Sequence, residues 1–174
     1  GCAPSPPRAR RGAPHEPVGV DLVAWVGDDS VTGGAGPLFL NYSLPGGEVV
    51  PARVAATTAG IAEGCRRAGC ALLGGETASM PGFYGKGELE LVGFGVGVVE
   101  RDRVIDGSTI SQGDVVIGIA SSGIHSNGYT LVREIVDVGL AAGKFDLREA
   151  PPELNTSLAA ALLAPTRLSA TPVL

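Results

Sequence analysis

Short apolar runs that open into glycine constrain this chain more than any other feature. Val18–Val26 (VGVDLVAWV), Cys70–Leu73 (CALL), Leu89–Val99 (LELVGFGVGVV) and Asp114–Ala120 (DVVIGIA) are all too short to span a bilayer. The 27 glycines fall mainly at the ends of such runs, which suits a compact fold with many tight turns. Apolar residues make up 44% of the 174, enough to bury a core, but aromatics are only 5%. The core must therefore be built from Val, Leu, Ile and Ala.

The clearest single element is a helix over Pro51–Ala68. At 100° per residue, Val54, Thr58, Ile61, Cys65 and Ala68 share one face, with Arg53, Glu63, Arg66 and Arg67 opposite. Pro51 suits its first turn and Gly69 its C-terminal cap. Cys70–Leu73 then reads as a buried strand that releases at Gly74 into a long loop, GGETASMPGFYGKGE. Pro37–Tyr42 and Leu89–Val99 read as strands, and glycines within the latter suggest close approach of another backbone. Periodicity leaves Val18–Val26 open between strand and helix, and GDDSVTGGAG after it reads as a loop or a weak helix end. Asp114–Ala120 reads as a second buried strand, followed by a helix over about Asn127–Val138 with Leu131, Val132, Ile135, Val136 and Val138 on its apolar face. Ser157–Leu163 is a short Ala/Leu helix.

This order gives an α+β chain with mixed sheets and helices in two incomplete domains. Residues 1–14 form a Pro/Arg-rich leader expected to be disordered, 15–100 one domain, 101–112 a polar linker, and 113–174 the start of another. The leader lacks the apolar stretch of a secretory signal. A net charge of -5 argues against a nucleic-acid surface. Cys2, Cys65 and Cys70 fit no zinc spacing and read as reduced thiols of a cytosolic protein.

Two places could carry chemistry. Ser121–Gly128 (SSGIHSNG) joins an apolar run to a helix N-terminus, where free N–H groups and the helix dipole favour an anion. Ser121, Ser122, Gly123 and Ser126 could hold a phosphorylated ligand there, with His125 and Asn127 adding directional donors; the alternative is a helix cap and an exposed loop histidine. At Gly74–Thr77, two glycines allow close approach of a ligand, and Glu76 and Thr77 supply oxygens of the kind Mg²⁺ demands. The alternative is a surface loop with a solvated Glu. Asp28, Asp29 and Asn41 are further oxygen-bearing residues beside turns, either metal ligands or caps. No Walker A and no GxGxxG sequence is present.

GIAEGCRRAGCALLGGETASMPGFY, LVGFGVGVVERDRVIDGS, GDVVIGIASSGIHSNGYTLVREIV and LLAPTR together resemble the aminoimidazole ribonucleotide synthetase family, also called phosphoribosylformylglycinamidine cyclo-ligase, along nearly the whole chain after the leader. The resemblance implies an ATP-dependent ligase of purine biosynthesis that closes an imidazole ring. It implies ATP and Mg²⁺ as cofactors, a small phosphorylated substrate, and homodimers in the full-length protein, in the cytoplasm or in a plastid if the leader is a transit remnant. Carried onto this chain, Asp28 and Asn41 would sit on the metal side. Asp28, Gly74, Gly75, Glu76 and Thr77 would line the nucleotide cleft, and His125 and Asn127 would act on the substrate held by Ser121, Ser122, Gly123 and Ser126. The family shows Asn-Asp-Ile at Gly27–Asp29 and Asp at Asn41, and its Gly-rich nucleotide loop has no counterpart, so the chain is expected to be an inactive fragment. The alternatives are another ATP-using relative, such as a selenophosphate synthetase or thiamine-phosphate kinase, and a non-catalytic pairing module.

Overall fold

A computed structural model describes residues 2–3 and 15–174. The strands are β1 (Cys2–Ala3), β2 (Gly36–Gly46), β3 (Ala71–Ser79) and β4 (Leu91–Val98), in one sheet of order β1-β4-β2-β3. β2 runs parallel to β3 and antiparallel to β4, and β1 pairs antiparallel with β4. Two helices, α1 (Glu16–Thr32) and α2 (Pro51–Ala68), lie on one face, and α2 is the crossover that a parallel β2–β3 pair requires. The result is the mixed sheet with helices expected for an α+β chain. Beyond Cys2–Ala3, the leader lies outside the described residues. Among the described residues no helix is long and apolar enough to cross a membrane.

α2 has the bounds its sequence dictates, and Ile61, Cys65 and Ala68 are buried on it. The expected face is shifted: Thr57, Gly60 and Gly64 are buried too, while Thr58 is half-buried and shares a 2.8 Å hydrogen bond with the Tyr42 hydroxyl. Gly69 caps the helix at φ 71°, with no heavy atom near its absent Cβ. Gly69→Ala is therefore expected to cost about 1 kcal/mol from the left-handed backbone alone, read as a lower urea midpoint with an unchanged slope.

α1 departs from the local reading: it runs on through Gly27–Thr32 instead of ending in a loop. Its sequence is apolar on nearly every side, and the structure buries it on three. Gly19 and Val23 face α2, and Leu22 and Val26 seat against Gly93 and Gly95 of β4. The third side meets the segment Pro165–Ala170. Tertiary packing thus overrides weak propensity, and Ser30 Oγ helps by donating to the Val26 carbonyl at 2.9 Å. The close approach inferred from the β4 glycines is made by α1 side chains at Gly93 and Gly95; at Gly97 a Cβ would stand 3.0 Å from Ala35 Cβ and 3.2 Å from the Gly36 carbonyl oxygen.

Three other expectations are overturned. Gly74–Ser79 is strand, not loop: Asn41–Gly46 offer it a parallel ladder, from Asn41 opposite Gly74 to Gly46 opposite Ser79. Gly75 is glycine because the Tyr42 ring occupies the space of a Cβ, 2.3 Å from where one would stand. Nor is Cys70–Leu73 buried, since β3 is the sheet edge and Leu73 is 63% exposed. Asp114–Ala120 forms no strand, and Val116 is 96% exposed. An apolar run becomes a buried strand only where neighbouring strands take its N–H and C=O groups, and no described strand pairs with it. The helix after it, α3 (Tyr129–Ala141), does form, yet Leu131, Ile135 and Val138 on its apolar face are exposed. Two short helices follow, α4 (Leu158–Leu162), capped by Ser157, and α5 (Ala170–Val173).

Candidate functional site

α1 presents two carboxylates two turns apart, Asp21 and Asp28, on the side away from α2 and the sheet. Asp21 Oδ1 accepts the Thr166 N–H at 2.7 Å, and Asp28 Oδ1 accepts the Ser169 N–H at 2.9 Å. The pair thereby clasps the strap Pro165–Ser169 against the helix. Burial raises the Asp21 carboxyl above the ordinary range, against the Thr166 hydrogen bonds and the field of His125. Burial raises Asp28 as well, against the Ser169 N–H and His125, with Asp29 adding to the rise.

The loop Ser121–Gly128 closes over the same strap. Ser122 Oγ donates to the Pro165 carbonyl at 2.7 Å, and Arg167 Nη1 reaches back to the Ala120 carbonyl at 3.0 Å. The Ser126 and Thr166 hydroxyls share a 2.7 Å hydrogen bond. Tyr129, which opens α3, donates its hydroxyl to the Leu162 carbonyl. His125 has φ 59°, the left-handed region that few non-glycine residues adopt. Its Nε2 accepts the Ser122 N–H at 3.1 Å, which fixes the imidazole to its own loop.

The structure thus brings Asp28, His125 and Ser126 to one place, where Asp21 and Thr166 join them. Neither of those two was singled out in the sequence. The available signal was the carboxylate inside VGVDLVAWV, seven residues before Asp28. Asn127 is exposed and precedes Gly128, the N-cap of α3, which has no side-chain cap hydrogen bond; neither Ser126 nor Asn127 caps the helix. Gly123 packs against Ala164 and the Ala161 carbonyl, and Ser121 is exposed.

The remaining candidates lie elsewhere. Tyr42 packs over Gly75 and bonds to Thr58 of α2, so Gly75 and, two residues on, Thr77 look toward the helices. Asn41, Gly74 and Glu76 belong to the opposite, uncovered face; Asn41 stands beside Gly74 and Phe94, and Glu76 beside Ser43. Asp28 and Asn41 are therefore on opposite sides of the sheet and do not converge. Glu76 and His125 are separated in the same way, so the Gly74–Thr77 and Ser121–Gly128 segments share no cleft across the sheet. Among the described residues no group of three or more His, Cys, Asp or Glu side chains could hold a metal ion. Chemically, the α1 cluster offers two half-buried carboxylates able to retain a proton and an imidazole beside a hydroxyl pair.

A family model described as AIR synthase related protein, N-terminal domain, matches residues 2–99. The phosphoribosylformylglycinamidine cyclo-ligase of Geobacter sulfurreducens is 52% identical over 154 residues, which is 88% of this chain and 43% of that protein. That of Geobacter metallireducens is 53% identical with the same coverage of both, 88% and 43%. The chain thus spans 43% of the length of these curated relatives. Among solved structures, thiamine monophosphate kinase from Aquifex aeolicus is similar at a TM-score of 0.45 and 21% identity, over 54% of this chain and 30% of that one, a likeness that carries no argument.

Proposed function

This chain belongs to the AIR synthase related protein family, and we propose that it is the middle portion of a phosphoribosylformylglycinamidine cyclo-ligase. The reaction so assigned is the ATP-dependent closure of formylglycinamidine ribonucleotide to aminoimidazole ribonucleotide. The γ-phosphoryl group moves from ATP to the substrate's amide oxygen, the amidine nitrogen attacks that carbon, and phosphate leaves. The observation that carries this reading is 52% identity over 154 residues, sustained across 88% of the chain.

What this chain contributes is positioning. In the proposed roles, His125 and Asn127 face the reacting atoms, while Ser121, Ser122, Gly123 and Ser126 hold the substrate's phosphate. Asp28 serves the nucleotide, with Gly75 and Thr77 on its side of the sheet; Gly74 and Glu76, on the opposite face, do not join them. The anchored loop supports the first set, because Ser122 and Ser126 are tied to the strap and the strap to α1. The donors do not fit a Mg²⁺ site within this chain. Mg²⁺ requires near-octahedral oxygen ligands, whereas Asp28 Oδ1 is engaged by the Ser169 N–H and Asn41 lies across the sheet. The isolated chain accordingly turns over no substrate, and full-length chains pair as a cytoplasmic homodimer through the uncovered sheet face, where Phe94 and Val98 are exposed.

Exchanging the 154 matched residues into the Geobacter sulfurreducens enzyme tests the reading. The chimera is expected to release ADP from ATP only when formylglycinamidine ribonucleotide is present, and to restore growth of a purine auxotroph lacking the cyclo-ligase. A chimera with the parent's far-UV dichroism that releases no ADP removes the assignment.

A further inference from the structure

The end of α2 holds two free thiols that the proposed reaction does not use, Cys65 and Cys70. They sit at the two ends of one helix-capping motif. The N–H of Cys70 closes on the Cys65 carbonyl at 3.0 Å across Gly69 in the left-handed conformation, and the Gly69 N–H bonds the same carbonyl. A helix end of this kind folds the first and sixth side chains toward each other, and here Cys70 packs against the core cluster that contains Cys65. Cys65 is 2% exposed, inside the cluster with Leu22, Leu40 and Ile61. Cys70 is half-buried and lines a small cavity with Val23, Val26, Phe39 and Leu40.

We propose that Cys65 and Cys70 form a modification site, an intramolecular disulfide made by a peroxide or a low-molecular-weight disulfide. The cap's backbone bond from Cys70 to Cys65 holds the two residues side by side, so closure needs the side chains, more than the backbone, to turn toward each other. The order of events follows from access. The Cys70 thiolate attacks one oxygen of hydrogen peroxide; the O–O bond breaks, sulfur is oxidised to a sulfenic acid, and the departing hydroxide takes a proton to become water. Cys65 then loses its proton and attacks the Cys70 sulfur, the S–S bond forms, the S–O bond breaks, and a second water leaves. Two thiols and one peroxide thus give one disulfide and two waters. Burial, with Cys70 adding, pushes the Cys65 thiol up to about 12, so Cys65 resolves and does not initiate.

Arg66 and Arg67 lie between the two cysteines, so trypsin separates them and a disulfide rejoins the two peptides. In the full chain carrying Cys2→Ser, hydrogen peroxide under native conditions is expected to remove both remaining thiols and yield the joined peptides, lighter by two hydrogens. Closure is expected to keep accelerating as pH rises through and beyond the ordinary thiol range, because the Cys65 thiolate fraction goes on growing toward its raised value. In Cys65→Ser, Cys70 is expected to stop as a stable adduct with oxidised glutathione. A folded Cys2→Ser chain in which Cys70 is oxidised while Cys65 stays a free thiol overturns the proposal, as does a disulfide that forms only after the helical dichroism is lost.

Discussion

Gly60→Ala is expected to lower the unfolding free energy by about 2–3 kcal/mol, although alanine in an exposed helix gains about 1 kcal/mol over glycine. The reason is the crossing of α1 and α2. A Cβ at Gly60 would stand 1.9 Å from the Glu16 carbonyl oxygen and 2.8 Å from its carbon. Those are backbone atoms, so no rotamer change relieves the clash and one helix must lift off the other. From the opposite helix, a Cβ at Gly19 would stand 2.3 Å from the Thr57 carbonyl oxygen. Gly27, also in α1, supplies the opposite sign: the nearest neighbours of a Cβ there would be Pro37 Cγ of β2 at 3.9 Å and Ala170 Cβ of α5 at 4.0 Å, ordinary contacts. Gly27→Ala is therefore expected to raise stability by about 1 kcal/mol. Urea titrations of both variants check the pair, and a Gly60→Ala midpoint at or above that of the parent would show that the helices do not touch backbone to backbone.

The same crossing explains what was legible in the sequence and what was not. α2 could be read to its exact bounds because everything that defines it is local: Pro51 at its start, Gly69 at its end, and a polar stripe of Arg and Glu that fixes its orientation. α1 could not, because its apolar residues face α2, the sheet and the strap, and a helix buried on three sides has no polar stripe to reveal its period. Glycines misled in a consistent way. Gly74–Gly75 read as the start of a loop, yet both lie in a strand, and Gly75 leaves room for the Tyr42 ring. Asp114–Ala120 has the composition of a buried strand, but composition cannot supply the neighbours that would hydrogen-bond it. At the candidate site, His125, Ser126 and Asp28 are singled out by residue type and by the family resemblance, and the structure brings them together. Their link through Asp21 and Thr166 was not, because it joins residues 145 apart in sequence through a backbone N–H. The resemblance to the cyclo-ligase family was legible in the sequence motifs and stands, whereas the joint placement of Asp28 with Asn41 was a carry-over that the sheet separates.

Asp21→Ala is expected to be the most damaging change at the site, costing about 1–3 kcal/mol. It removes the acceptor of the Thr166 N–H in a residue only 5% exposed, and a buried donor left without its partner is costly. Asp21→Asn keeps an oxygen for that N–H and removes the charge, so it is expected to fall close to the parent at neutral pH. The pH dependence separates the two effects. The folded carboxyl titrates above its unfolded value, chiefly because burial disfavours the charge. The folded state therefore holds the proton more tightly, and the group's contribution is largest below the ordinary carboxylate value of about 3.9. It declines as pH rises through the window up to the raised folded value. Asp28 is raised in the same direction and keeps its own part of that slope in both variants. Across a pH series of urea midpoints, Asp21→Asn should flatten the decline, while Asp21→Ala should lie below Asp21→Asn throughout. Faster hydrogen exchange of the Thr166 amide in Asp21→Ala alone would locate the loss at the strap, and with it the tether of Ser126. Equal midpoints for the two variants at neutral pH would mean that the strap is held by packing and that Asp21 has no part in placing the loop.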